Sequence, residues 1–207
     1  MPYKILAAVA FLAIFGLTAL LVVGGIGSMM ARSASAQSGD AETYCTTVGG
    51  KVVERTPALN ADSANPMLLA NPARFCEFTG GAGADPADSR IVVSLDTLFA
   101  TQPTRAALAW RERAPLPDPA TPAAGMAGMA NPASLYCASI GGAEGDWLNP
   151  NVAPDDPARV ATMCAFPDFS AIDSWGLAYH AQGIVRGADL DSLFHWQEGG
   201  LPGAPVT

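Results

Sequence analysis

The longest hydrophobic pattern in the chain is an uncharged run from Ile5 to Ile26. As a helix that rises about 1.5 Å per residue, this run spans about 33 Å, which is enough to cross the hydrocarbon core of a membrane. Lys4 and the terminal amine precede the run, and only Arg32 follows it before the first acidic residues. This charge asymmetry predicts a cytoplasmic N-terminus, with the chain beyond the run exported.

Two fates are open for this N-terminal segment, residues 1–36. The sequence Ala34-Ser35-Ala36 has the small-x-small form of a signal-peptidase site. The apolar run is longer, however, than the core of about 7–15 residues that cleaved signals have. We therefore predict an uncleaved, single-pass anchor, with cleavage near Ala36 as the alternative.

Shorter patterns beyond this segment predict small structural elements. Asn131 and Pro132 predict the start of a helix that ends at Gly141-Gly142. The residues 161–166 predict a strand, and residues 170–173 have the form of a capping box that opens a second helix. In this half of the chain the pattern is therefore helix, β-hairpin, helix.

The first half has the same pattern. The run from Lys51 to Arg55 predicts a strand directly after Gly49-Gly50, and the run from Arg105 to Arg113 predicts the closing helix. The predicted fold class is α+β, with an N-terminal transmembrane helix followed by two small disulfide-bonded helix–β-hairpin–helix modules.

An internal repeat supports this division. Tyr44-Cys45-Thr46-Thr47-Val48-Gly49-Gly50 matches Tyr136-Cys137-Ala138-Ser139-Ile140-Gly141-Gly142. The stretch between the halves is rich in Pro, Ala and Gly and has no periodic apolar pattern, which is typical of a linker. The predicted organisation is a first module at 40–113, a linker at 114–129, a second module at 130–198 and a tail at 199–207.

A second register of the repeat is also open. Ala70-Asn71-Pro72-Ala73 before Cys76 resembles Ala130-Asn131-Pro132-Ala133 before Cys137. In that register, Cys76 opens a unit that has no second cysteine. We prefer the first register because it gives every cysteine a partner and aligns both Tyr-Cys pairs.

The four cysteines, Cys45, Cys76, Cys137 and Cys164, all lie in the predicted exported part. An even number of cysteines in an oxidising compartment indicates two disulfides, although four cysteines allow three pairings. The repeat favours Cys45–Cys76 and Cys137–Cys164, because equivalent positions then form equivalent bonds.

The composition limits the classes of function. The chain has 207 residues and a formal net charge of −8, which excludes the basic face that a nucleic-acid-binding protein needs. With 21 Gly and 17 Pro, long loops are expected. Only two histidines are present, so few sites for a metal or a nucleophile exist. We predict no cofactor, no metal and no enzymatic activity.

Candidate chemical groups exist but form no recognised motif. The residues that could form a catalytic Ser-His-Asp triad, or a metal site with histidine ligands, are His180, His195, Asp173, Asp191, Ser174 and Ser192. No nucleophile elbow and no i, i+4 pair of histidines is present. The acidic pairs Asp155-Asp156 and Asp85 with Asp88 lack the alternating pattern of a calcium loop. The aromatic residues Trp147, Phe166, Trp175 and Tyr179 are predicted to form the core of the second module.

The second module contains a motif spread over some 45 residues: Asn131-Pro132-Ala133-Ser134, Tyr136-Cys137, Gly141-Gly142, Cys164, Phe166-Pro167-Asp168, Ser170, Ile172-Asp173 and Trp175. With this motif the module resembles a family of small exported bacterial domains of unknown function. Members are often labelled hemolysins and are common in envelope lipoproteins. Phe169 departs from the family, which usually has Gly there, and the lipid-attachment cysteine is missing. The resemblance implies an envelope location and a disulfide-bonded module.

Two hypotheses on function follow. The first is a non-enzymatic protein of the bacterial inner membrane, with tandem periplasmic modules that bind another envelope or membrane protein. The second is a single-helix accessory subunit of an integral membrane complex, respiratory or photosynthetic, with its modules on the periplasmic face. If the chain is cleaved near Ala36, the protein is instead periplasmic or secreted.

Overall fold

The computed structural model of this protein describes residues 39–80, 89–117 and 131–198. The predicted anchor, the cleavage site near Ala36 and the tail lie outside these residues. None of the helices within them is long and apolar enough to span a membrane. The described residues from Ala41 onward belong to one compact unit.

Helices and strands follow the same order in both halves of the chain. The first half contains α1 (39–47), β1 (Lys51–Leu59), β2 (Met67–Leu68), β3 (Ala73–Thr79), β4 (Arg90–Ser94) and α2 (Leu95–Leu98). A further helix, α3 (Arg105–Glu112), follows before the second half. The second half contains α4 (Pro132–Ser139), β5 (Ala143–Leu148), β6 (Val160–Ala165), β7 (Ala171–Asp173) and α5 (Ser174–Ala181). A 3-10 turn at Leu190–Ser192 and α6 (His195–Glu198) complete the described chain.

All seven strands lie in one antiparallel sheet that contains both halves. The strand order is β2-β1-β3-β4-β7-β6-β5, and β1 also pairs with β5, so six of the strands close on themselves. The halves meet at two places, where Thr56 lies opposite Leu148 and Val93 lies opposite Ile172. Equivalent strands therefore pair with each other. The two predicted modules do not have separate sheets.

The closed sheet has an inner and an outer apolar layer, because side chains alternate along each strand. The inner cluster contains Val53, Phe75, Val92, Ala161, Met163 and Ala171, drawn from five strands. The larger outer cluster packs the other faces of β3, β4, β6 and β7 against the helices, and its largest buried side chain is that of Trp110. Both layers draw residues from both halves, so neither half has a core of its own.

The two disulfides join Cys45 to Cys76 and Cys137 to Cys164, the pairing that the repeat favours. Each links the first helix of its half to a central strand. The repeated Gly-Gly pair has a physical explanation in both halves. Gly49 and Gly141 have φ values of +89° and +83°, which side chains rarely adopt. At the second glycine of each pair, a β-carbon would overlap the sulfur of the adjacent disulfide.

The helix predicted at Arg105–Arg113 is present, but its assignment as the counterpart of α5 is wrong, and so is the predicted start of the helix at 170–173. The counterpart of α5 is the short helix α2, because α2 follows β4 as α5 follows β7; the predicted closing helix of the first half is the separate helix α3. The predicted capping box at 170–173 is mostly strand β7, because pairing with β4 and β6 fixes these residues in an extended conformation. The N-cap of α5 is Asp173, whose carboxylate accepts a hydrogen bond from the amide of Gly176 at 2.6 Å.

One buried ion pair lies at the sheet. Arg55 on β1 is 0% exposed, and its guanidinium lies 2.8 Å from the carboxylate of Glu77 on β3. The same guanidinium donates hydrogen bonds to the carbonyls of Trp147 and Ala158. Burial lowers the pKa of Arg55, and the hydrogen bond and charge of Glu77 oppose this shift. This ion pair links strands of the first half to backbone groups of the second.

Candidate functional site

The turn between β6 and β7 contains one of the three described non-glycine residues with a positive φ; the other two are Asn60 and Arg113. The amide of Phe169 donates a hydrogen bond to the carbonyl of Phe166, which places Pro167 and Asp168 in the middle of the turn. Phe169 then takes a φ of +64° and leaves 91% of its surface exposed. Glycine is the usual residue at a left-handed position in such turns. Phe169 therefore combines a solvent-exposed aromatic side chain with a left-handed backbone conformation, which is energetically unfavourable for a bulky residue.

Asp168 fixes this turn against the N-terminus of α3. One of its carboxylate oxygens accepts a hydrogen bond from the amide of Arg105 at 2.8 Å, and the other accepts from the hydroxyl and amide of Ser170. Partial burial opposes ionisation of Asp168, but these hydrogen bonds outweigh burial and lower its pKa. The hydroxyl of Ser170 also accepts from the amide of Ala106. Two hydrogen bonds thus join the turn to the start of α3.

A cleft of about 320 Å³ lies beside this turn. Its walls are one face of α3, the end of α4 and the end of β6, with Leu108, Ile140 and Phe166 among the lining residues. Leu108 is 38% exposed. We call this cleft the α3 groove. The groove also has two charged lining residues, Arg105 and Glu112, and the exposed Phe169 lies in the adjacent turn.

A second group of polar side chains surrounds His180 on α5. Its imidazole is 1% exposed and stacks on Trp110, with the ring centroids 3.7 Å apart. Arg113, at the end of α3, donates a hydrogen bond from Nε to Nε2 of His180 at 3.0 Å. The same guanidinium donates to the carboxylate of Asp191 at 3.2 Å. Because Nε2 accepts a hydrogen bond, His180 is neutral with its proton on Nδ1.

Burial lowers the pKa of His180, and the adjacent charge of Arg113 lowers it further, whereas Asp189 and Asp191 oppose the shift. A lowered pKa means that the unfolded chain binds this proton more readily than the folded one, so stability falls as the pH falls below the ordinary histidine pKa of about 6.5. We expect the melting temperature to decrease between pH 7.5 and pH 5.

The variant His180→Gln tests this pH dependence, since glutamine accepts a hydrogen bond from Arg113 but does not titrate. Its melting temperature is expected to fall less than that of the wild type between the two pH values, as measured by circular dichroism. An equal fall in both proteins would contradict the assignment of this pH dependence to His180.

The same group is the one set of side chains among the described residues that could hold a metal ion. Ligand atoms of His180, Asp189 and Asp191 lie within 4.8 Å of one another. The guanidinium of Arg113, however, already binds His180 and Asp191 and supplies the positive charge. These contacts tie α3 to the 3-10 turn.

The sequence-predicted catalytic groups do not assemble into a triad. No hydrogen bond between described residues joins a serine to a histidine. Asp173 caps α5, and Ser192 donates to the backbone of Asp189. His195 packs against Tyr44 and Phe99. Of the proposed groups, the structure therefore brings together only His180 and Asp191 among the residues it describes.

The remaining candidates lie apart. Asp155 and Asp156 are exposed in the loop between β5 and β6, while Asp85 and Asp88 lie outside the described residues. The four aromatic residues predicted to form one core lie in different places. Phe166 and Trp175 join the outer cluster, and Trp147 packs on the inner one against Phe75. The ring of Tyr179 is tilted against that of Trp175, with the ring centroids 5.8 Å apart, and the guanidinium of Arg186 lies over it.

A further exposed apolar surface lies at the tip of the first hairpin. Leu59, Met67, Leu68 and Leu69 are each more than half exposed. Their backbone is held by pairing of β2 with β1 and by a hydrogen bond from the amide of Leu69 to the carbonyl of Pro57. This hairpin tip and the α3 groove were both missed by reasoning on the sequence. The one sequence feature that pointed to the region of the groove was Phe169, at a position where the family that the second module resembles usually has glycine.

Comparison with known proteins identifies one part of the chain. No curated protein and no solved structure matches it. The segment that matches a family extends through the elements from α4 to α5 and includes both Phe169 and the second disulfide. Residues 128–181 match a family model described as "Domain of unknown function (DUF333)".

Proposed function

We propose that this protein is a non-enzymatic, membrane-tethered protein of the bacterial envelope, whose disulfide-bonded domain binds another protein through Phe169 and the α3 groove. The observation that carries the proposal is the exposed aromatic side chain at a left-handed position. Residues in strained backbone conformations are concentrated at functional sites.

The energetics of this position favour a binding role over a structural one. A left-handed conformation costs a residue with a β-carbon about 1–2 kcal/mol relative to a right-handed one. Burial of an aromatic ring would offset that cost, but Phe169 is 91% exposed. Aromatic side chains are enriched in protein interfaces and among the residues that contribute most to binding.

The chain's other properties support an envelope location. Both disulfides are closed, as expected of a domain in an oxidising compartment. The apolar run at 5–26 and the lysine before it favour a single-pass anchor in the inner membrane, with the domain in the periplasm. Cleavage near Ala36 would release the same domain as a periplasmic protein.

The hairpin tip favours a second candidate function. Large, more apolar interfaces are typical of obligate complexes, and the tip adds a second exposed apolar surface to the first. A single-helix accessory subunit of an integral membrane complex would bury both surfaces at once. This candidate differs from the first in the number of surfaces that contact a partner.

A photo-crosslinking amino acid at position 169 of the full-length chain, in native membranes, tests the proposal. We expect a crosslinked product between this chain and a different protein, identified by mass spectrometry. A crosslinker at the exposed loop residue Asp155 is the control and should give no such product. A second product from position 68 would favour the accessory-subunit candidate, and the absence of any product from position 169 would contradict the proposal.

Substitution of Phe169 separates binding from folding. Phe169→Gly relieves the left-handed strain and so stabilises the folded state. Glycine also has more conformational freedom in the unfolded chain, which partly offsets this gain. We therefore expect the free energy of unfolding to rise by about 0–1 kcal/mol. Partner crosslinking from a second probe at Leu108 should be lost in this variant. Phe169→Tyr keeps the aromatic ring and should retain crosslinking. A marked loss of stability in Phe169→Gly would show instead that the ring serves folding.

A further inference from the structure

The charges at the α3 groove have a defined order. Arg105 in the first turn of α3 and Glu112 in its last turn both line the groove, and both side chains are exposed. Neither forms an ion pair among the described residues. Residues seven positions apart on a helix lie on the same face, about 10 Å apart along its axis. The groove therefore has a positive end, an apolar middle and a negative end.

The middle of the groove matches the apolar side chains of a short helix. Leu108, which is 38% exposed, lies between the two charges on α3, and Ile140 is partly exposed on the opposite wall. Ala109 and Phe166 also line the groove but are almost fully buried. A volume of about 320 Å³ is at the lower end of the range of pockets that bind ligands. It suits a few aliphatic side chains that project from one face of a helix, which is a common mode of peptide recognition.

We infer that the groove binds an amphipathic helix of the partner protein that runs parallel to α3. The helix has an acidic residue opposite Arg105, a basic residue seven positions later opposite Glu112, and apolar residues at the third and fourth positions between them. Parallel packing follows from the charge order, because acidic residues are favoured near the N-terminus of a helix and basic residues near its C-terminus. This inference rests on the proposed function and specifies the partner's chemistry.

The aromatic edge of the groove completes the recognition surface. The hydrogen bond from the amide of Arg105 to Asp168 places the Phe169 turn at the positive end of the groove. An apolar residue that precedes the acidic residue of the bound helix would contact Phe169. The partner motif thus begins with an apolar residue, continues with the acidic one, and ends with the basic one.

Two synthetic helical peptides, used with the full-length chain in lipid nanodiscs, test the charge order. The first has glutamate seven positions before lysine with leucines between, and the second has these two charges exchanged. In fluorescence anisotropy, the wild type should bind the first peptide about tenfold more tightly at low salt, and added salt should reduce this preference. The doubly exchanged variant, Arg105→Glu with Glu112→Arg, should prefer the second peptide.

Any result of the peptide-binding test other than this charge-order preference contradicts the inference of a bound helix. Equal affinity of the wild type for both peptides, or the same preference in the wild type and in the exchanged variant, would overturn it. Self-association of the chain through the groove, detected as a dimer that the first peptide does not dissociate, would also overturn it. If position 169 gives a crosslinked product but the chain shows no peptide preference, the proposed function stands and only the inference of a bound helix is rejected. If position 169 gives no crosslinked product, both the proposed function and this inference are rejected. Melting curves check that the exchanged variant is folded.

Discussion

Replacement of Glu77 by alanine is expected to lower the free energy of unfolding by about 3–5 kcal/mol. The reason is that Arg55 is 0% exposed and its guanidinium lies 2.8 Å from the Glu77 carboxylate. Without Glu77, a buried cation is left with only carbonyl partners. Removal of one member of a buried ion pair costs far more than the net contribution of the pair, because the remaining charge stays desolvated. Urea unfolding of the wild type and Glu77→Ala measures the difference.

The matched control removes both charges. The double variant Arg55→Met with Glu77→Leu should recover most of the lost stability, since apolar residues of similar volume often replace a buried ion pair without loss. If Glu77→Ala were as stable as the wild type, the carboxylate would not be the group that compensates the buried arginine.

Loss of the second disulfide is expected to destabilise the whole domain, not one half of it. The double variant Cys137→Ser with Cys164→Ser opens a bond that spans 27 residues, for which the expected loss is about 3 kcal/mol. Because β5 pairs with β1 and β7 pairs with β4, the halves should still unfold in one cooperative transition at lower urea concentration. Two separate transitions would contradict the shared sheet.

The single variant Cys137→Ser checks the pairing. It should expose one free thiol, that of Cys164, and leave the bond between Cys45 and Cys76 closed. Peptide mapping under non-reducing conditions measures this directly. A linked peptide with one cysteine from each half would be incompatible with the structure.

Local features could be predicted from the sequence because they depend on neighbouring residues. Asn131 caps α4 by accepting a hydrogen bond from the amide of Ser134, with Pro132 in the first turn, as the pattern indicated. The repeated Gly-Gly motif correctly marked both helix ends. The pairing of the cysteines followed from the repeat alone, since equivalent residues form equivalent bonds in the two halves.

Features that depend on contacts between the halves could not be predicted in this way. The closed sheet rests on pairing between strands far apart in sequence, and short strands such as Ala171–Asp173 have no distinctive pattern of their own. The partner of Arg55 lies on another strand, so an arginine in a β-prone run gave no sign of burial. The exposure and left-handed backbone of Phe169 are likewise properties of the folded turn.

The claim that the face around Phe169 binds another protein is tested most directly by the size of the particle that contains this chain in native membranes. After gentle solubilisation, the wild type and Phe169→Tyr should migrate at a mass above that of the free chain, because the aromatic ring binds another protein. Phe169→Gly, with unchanged or higher stability, should migrate as the free chain. Co-migration of the wild type with a large membrane complex would favour the accessory-subunit candidate. A Phe169→Gly particle as large as that of the wild type, or a wild-type particle of the mass of the free chain, would contradict the proposal that this face binds a partner.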